Sequence, residues 1–397
     1  MILRPHRLSI NTSEMPMLPT PTPEELAHQA NVAWRLREKI SASGGEISFA
    51  RFMELALYAP GLGYYAAGKP KFGEKGDFIT APELGPLFAR CLARPCLALL
   101  TQLGAGDILE IGAGSGALAA DLLRELETLG RLPDRYFILE LSADLHARQS
   151  QTLKQKSPDL FERVHWITEL PRNFRGMLLG NELLDAMPVS RFKITESGAN
   201  EFFVGWENDG FVWRERPVTE SVRARLLSLG LPPGYICEIN LHAEAWVRTI
   251  ADALKQGVLL LIDYGFPRTE FYHPQRAQGT LMCHYKHHAH DDPLRFVGLQ
   301  DITAHVDFSA IAQAGTGAGL ELLGYTTQAA FLLDCGLDQF VTASDPEEVR
   351  THMALTQQIK KLTLPHEMGE LYKVIALGRG VPQPLPGFTR HDRTGRL

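Results

Sequence analysis

A short apolar strand that runs straight into three alternate glycines, Asp107-Ile-Leu-Glu-Ile-Gly112-Ala-Gly114-Ser-Gly116, constrains this chain more than any other feature. Glycines at that spacing let the backbone turn tightly and lie against a ligand with no Cβ in the way. The helix expected over 117–129 then presents free N–H groups and the positive end of its dipole to the same space. Strand, glycine turn and helix make the opening unit of a doubly wound α/β sheet.

The alternation continues downstream. Strands are expected at 135–140, 164–167, 175–179, 257–263, 320–327 and 372–377. Helices are expected up to Leu153 and over 243–254, 308–314 and 346–362, with a long loop between 264 and 307. Residues 189–217 break the rhythm as three short strands with turns at Ser197-Gly198 and Asn208-Asp209-Gly210, an inserted β-meander. A helix over 220–229 and an extended piece at 235–239 close it. Upstream, Thr22-Pro23-Glu24-Glu25 marks a helix start by its cap, proline and acids, and that helix runs to about Ser41. A helix over 47–57, a glycine- and aromatic-rich loop and a helix over 86–103 follow.

The expected organisation is a disordered leader over 1–22 and an N-terminal helical and lid region over 23–103. A ligand-binding domain in two pieces, 104–188 and 240–380, is interrupted by the insertion at 189–239 and followed by a disordered tail at 381–397. The start is basic and acid-poor, a little like a transit peptide. Pro16, Pro19, Pro21 and Pro23 follow at once, so a disordered leader is the reading taken.

Bulk properties narrow the class. A net charge of −6 argues against a broad nucleic-acid-binding face. Five scattered cysteines without a C-x-x-C pair suit neither a disulfide framework nor a zinc site, which points to a reducing compartment. No stretch approaches the ~18 apolar residues of a membrane span.

Two cofactors compete for the glycine turn. Gly112, Gly114 and Ala117 meet the dinucleotide pattern. Glu110, Gly112, Gly114 and Gly116 meet the pattern for S-adenosylmethionine in full. Glu110 discriminates, because a carboxylate there could hold an ammonium group but would repel a pyrophosphate. Glu140 ends the second strand at 140 − 112 = 28 positions from the first glycine, where its oxygens could accept both ribose hydroxyls. A dinucleotide site wants its acid roughly 20 residues on, so S-adenosylmethionine is preferred.

Three further segments carry a resemblance: GDFITAPELGPLF (76–88), GNELLDAMPV (180–189), and GTLMCHYKHHAHDDPL with QDITAHVDF (279–308). Together they closely resemble the MidA-like family of methyltransferases, which includes the mitochondrial complex I assembly factor that methylates an arginine. The resemblance implies a class I methyltransferase sheet with an N-terminal helical extension. It also implies protein-arginine methylation, with a complex I core subunit or its bacterial counterpart as substrate. The compartment would be the cytoplasm in a bacterium and the mitochondrial matrix in a eukaryote.

A guanidinium is a poor nucleophile, so carboxylates should localise its charge and accept a proton. Glu182 and Asp185 follow the fourth strand, at the edge where doubly wound folds bind ligands, and on a helical turn they would share a face. They are the candidate catalytic acids. The competing reading is that Asn181 caps a helix whose first turn merely favours acids. Asn181, Asp77 and Thr80 are further candidate cofactor contacts, the last two on a segment that either closes over the cofactor or anchors the loop through Tyr64 and Tyr65. His284, His287, His288, His290, Asp291 and Asp292 are too densely spaced for a helical metal site and suit a loop-ordering or substrate-facing role. Methylation of RNA or a small molecule, and a non-catalytic assembly chaperone, are the alternative functions.

Overall fold

The computed structural model describes residues 18–67, 80–342, 348–381 and 383–397. Most of the leader, and Asp77 of the lid segment, lie outside them. The sheet has seven main strands: β1 (Asp107–Ile111), β2 (Tyr136–Leu139), β3 (Val164–Ile167), β4 (Phe174–Asn181), β5 (Leu254–Phe266), β6 (Glu321–Thr327) and β7 (Tyr372–Arg379). Their order is β6-β7-β5-β4-β1-β2-β3, with Val306–Asp307 added beside the end of β5. Strands β1 to β5 pair in parallel, and β7 runs antiparallel between β5 and β6.

Both faces of this sheet are covered, so its central strands are apolar through their middles, with polar residues towards their ends. Along β5, Val258, Leu260 and Ile262 pack into one core, with helices Leu87–Leu103 and Ala117–Thr128. Leu259 and Leu261 pack into the other, with helices Leu241–Ala253 and Phe308–Gly317. The strand order reverses between β1 and β4, and ligands bind at that crevice in such folds.

A second layer of structure stands over that crevice. The meander strands Ser190–Thr195, Gly198–Glu207 and Gly210–Pro217 pair with one another and with Glu46–Ser48 and Ile236–Ile239. The N-terminal helices Pro23–Ala42 and Phe49–Tyr58 pack against this sheet through Val32, Leu36, Phe52 and Met53, meeting Val204, Leu281 and Ile302. Helix Phe49–Tyr58 thereby ends directly above the site, where the Tyr58 hydroxyl donates to the Ala186 carbonyl at 2.9 Å.

Three expectations are corrected. The stretch 264–307 is no loop: Leu281–Tyr285, His288–His290 and Asp301–Ala304 form a three-stranded sheet. Its strands are only three to five residues long, too short to set up a period-2 signal. Helices Gln328–Asp334 and Leu337–Thr342 were not anticipated, nor were the single turns Arg268–Phe271 and Met368–Leu371. The tail is packed: Val381, Leu385 and Phe388 are buried, and Phe388 lies edge-on to Phe331 at 5.3 Å. Its anchors are the backbone N–H of Tyr325, which donates to Asp392, and Asp334, which accepts from Gly387 and Thr389. Proline and glycine composition suggested disorder, but tertiary partners hold the segment.

Candidate active site

The end of β1 becomes a turn in which Gly112, Gly114 and Gly116 have φ of 75°, 53° and 83°. These are left-handed conformations that L side chains seldom adopt. Gly116 is needed a second time, because a Cβ there would lie 3.0 Å from the Cα of Gln149. Gln149 is wholly buried and braces the turn. Its Nε2 donates to the Gly114 carbonyl at 3.2 Å and to Glu140 Oε2 at 2.9 Å, while its Oε1 accepts from Trp166 Nε1 at 2.9 Å. Sequence reasoning missed Gln149, since a glutamine inside helix Ala143–Lys156 carries no local signal.

Strand register brings the two ends of the site together. Ile111 pairs with Gly180, so the glycine turn and Asn181 leave adjacent strands at one level. Between them opens a cavity of about 980 Å³ that runs from the turn to the far edge of β5 and β7. Glu110, Gly112, Gly114, Thr80, Glu140, Asn181, Glu182 and Asp185 all line it. Gly116 does not, and stands behind the turn against Gln149.

The turn end suits an adenosyl amino acid. Glu140 accepts from the Ser142 N–H at 2.8 Å through Oε1 and from Gln149 through Oε2, which orients both oxygens while leaving each a lone pair for a ribose hydroxyl. Leu141 beside it is 81% exposed, an apolar face that an aromatic base would cover. Glu110 lies on the floor, buried, with Oε2 accepting from the Tyr136 hydroxyl at 2.7 Å; burial lifts its pKa to about 7. Above the turn, Thr80 is buried and leads into the short helix Ala81–Leu84, whose Glu83 accepts from the Ser115 hydroxyl.

The far end is built differently from expectation. Residues 182–187 form no helix, so Asn181 caps nothing. Glu182 has φ of 51°, and the N–H groups of Leu183, Leu184 and Asp185 converge on Asp263 Oδ2 at 3.1, 2.8 and 3.3 Å. That carboxylate, at the end of β5, holds the loop in place of a helical ladder. Asp263 was missed, although the strand-end rule that picked out Glu110 and Glu140 would have found it. The Asn181 amide instead donates to Glu182 Oε1 at 3.2 Å.

The acids are crowded: Asp185 and Asp263 are buried and Glu182 half-buried. Glu182 is pushed up to about 8, first by burial and then by the charge of Asp185. Asp185 is pushed up to about 6 by burial, offset by the Tyr264 hydroxyl that donates to it, and its Oδ1 is buried without a partner. Asp263 rises well above the carboxylate range, by burial and by Asp185. Tyr372 donates to Glu182. Tyr65 donates to Asp301 at 2.9 Å and stacks on Tyr58 at 5.5 Å, so aromatic walls enclose the acids. Tyr65 lines the cavity, whereas Tyr64 is buried in the N-terminal core.

The histidines are spread along a hairpin. His284 lines the cavity; Lys286 and His287 make the turn, with φ of 48° and 64°. His288 Nδ1 lies 2.7 Å from the Lys286 carbonyl. No group of three His, Cys, Asp or Glu among the described residues could hold a metal. His305, missed in the sequence, lines the cavity edge-on to Tyr264 at 5.4 Å, and burial lowers its pKa to about 4.

Comparison with known proteins settles the class. Residues 91–326 match a family model described as "Putative S-adenosyl-L-methionine-dependent methyltransferase". The chain belongs to this MidA-like family. Protein arginine methyltransferase NDUFAF7, mitochondrial, of Danio rerio is 30% identical, covering 89% of this chain and 91% of that protein. The Homo sapiens protein of that name is 29% identical, over 84% and 80%. A solved COG1565 superfamily member from Burkholderia thailandensis, bound to S-adenosyl-homocysteine, is 47% identical with a TM-score of 0.93, covering 96% of this chain and 100% of that one. This MidA-like chain is therefore a class I methyltransferase that uses S-adenosylmethionine. No helix among the described residues is long and apolar enough to cross a membrane.

Proposed function

We propose that the chain is a protein-arginine N-methyltransferase whose substrate is a complex I core subunit or its bacterial counterpart. Two carboxylates, the buried Asp185 and the half-buried Glu182, facing one aromatic-walled chamber, carry the reading. The printed names of the relatives support it.

Glu110, Gly112, Gly114, Glu140, Asn181 and Thr80 hold the methyl donor, with Gly116 shaping the turn; Asp77 belongs to the same proposed set. Bound S-adenosylmethionine supplies a methyl group on a positively charged sulfur. The protein's own work is on the acceptor. Glu182 and Asp185 hold the guanidinium, with Tyr264 and Tyr372 orienting the two carboxylates. Glu182, protonated near neutral pH in the free chamber, loses its proton as the cation enters and takes one from the attacking nitrogen. The tyrosines exclude water, so positioning and desolvation supply most of the acceleration.

Incubation with radiolabelled S-adenosylmethionine and a cell lysate tests the substrate class. The expected result is label in one protein band that yields methylarginine on hydrolysis. Label confined to RNA or small solutes overturns it.

A further inference from the structure

Beyond the acceptor chamber, across Phe266 and Leu371, lies a second cavity of about 240 Å³. Both residues line both spaces, so the second cavity adjoins the acceptor end across that shared wall. Its charged lining is Lys373, Arg393 and Arg396 against Glu270 and Glu370, three cations to two carboxylates. The two carboxylates are already engaged: Glu370 by Arg393 at 3.3 Å and Glu270 by Arg396 at 3.4 Å.

Lys373 is left over. It is buried, and its ammonium donates only to the backbone carbonyls of Glu370 and Leu371 among the described residues. It lies 5.2 Å from the Phe266 ring centroid, and Arg276 lies over the same ring at 3.8 Å. Arg276 likewise has no ion pair among the described residues and donates to the Glu270 carbonyl. Burial depresses the pKa of both groups, that of Lys373 to about 8. Glu370 and Glu270 act on Lys373 only at a distance, with no ion pair among the described residues; a buried cation held so is costly, and an incoming anion would relieve it. The Tyr325 hydroxyl, on the same lining, is buried without a hydrogen-bond partner.

We propose that this pocket is a substrate subsite that takes the acidic side chain of a residue flanking the target arginine, with Lys373, Arg393 and Tyr325 as its ligands. The proposal rests on the arginine reading. The volume admits a glutamate side chain, and the shared Phe266–Leu371 wall sets it beside a guanidinium held by Glu182 and Asp185. Arg393 and Arg396 come from the packed tail, which gives that segment a part in recognising substrate.

A peptide library tests it, each peptide holding one arginine and, at each flanking position in turn, glutamate or glutamine. The wild-type protein is expected to prefer glutamate at one position by about tenfold in kcat/KM, the scale of one charge-assisted hydrogen bond. Lys373→Met and Arg393→Gln should each bring that ratio towards one, with melting temperatures confirming that both variants fold. Arg393, partly exposed, keeps the test open should Lys373→Met misfold. Equal rates on all peptides, or a preference that survives both substitutions, overturns the subsite alone. Absence of label on every arginine peptide overturns the arginine reading and the subsite with it.

Discussion

Glu182 shows how a residue's chemistry depends on where the chain places it. On an exposed helical turn it would be an ordinary carboxylate. Held in a left-handed conformation at the end of β4 and half-buried beside Asp185, it keeps its proton to about pH 8. Because kcat/KM follows the free enzyme, and Glu182 must be ionised to hold the guanidinium, kcat/KM should rise with pH and level off above about 8. Glu182→Gln should abolish that rise and slow transfer about 100-fold, with donor affinity by calorimetry little changed. A variant that keeps the wild-type pH profile returns Glu182 to a structural role. Asp185→Asn should slow transfer comparably. Both acids were legible as strand-end carboxylates, but their elevated pKa values were not, because desolvation is a property of the assembled chamber.

Among the elements, helix Ala143–Lys156 matters for the donor site through one side chain. Gln149 ties the glycine turn to Glu140 and to Trp166 of β3, linking the first three strands of the sheet behind the cofactor. Gln149→Leu has nearly the same bulk but leaves the Trp166 indole N–H and the Gly114 carbonyl unsatisfied, a cost of about 1–3 kcal/mol. The expected outcome is a donor dissociation constant raised about tenfold with kcat at saturation nearly unchanged, read by calorimetry and initial rates. Unchanged donor affinity would make Gln149 a packing residue only. The glycine turn was readable because its requirement is local: three positive φ angles need three glycines. Gln149 was not, because its partners stand 9, 17 and 35 positions away.

For the whole molecule, the tail closes the structure over β6. Gly324 has no side chain, and the Phe388 ring occupies that space, since a Cβ at Gly324 would lie 2.3 Å from it. Deleting residues after Gly380 exposes Phe331 and takes from Asp334 the N–H groups of Gly387 and Thr389. Burial of Phe388 alone is worth about 2–3 kcal/mol, so the truncated protein should melt several degrees lower or aggregate. An unchanged melting temperature would show the tail to be dispensable. The β-meander, the parallel strands and most helices could be read in advance because periodicity and turn chemistry act within a dozen residues. The three-stranded sheet over 281–304 could not, since its strands are only three to five residues long and are stabilised by the N-terminal helices they pack against.

Taken alone, the order of residues determined the doubly wound sheet, the glycine turn and the two acids, Glu110 and Glu140, proposed for the donor end. Each depends on spacing along a single strand or turn, which short-range sterics decide. Tertiary structure decided the rest. Tyr65 meets Asp301 across 236 positions, and Asp263 holds the loop of Asp185 across 78. The tail likewise brings Arg393 to Glu370, beside a lysine that has no ion pair among the described residues. Burial, and the counting of charges within a closed space, exist only once the chain has folded.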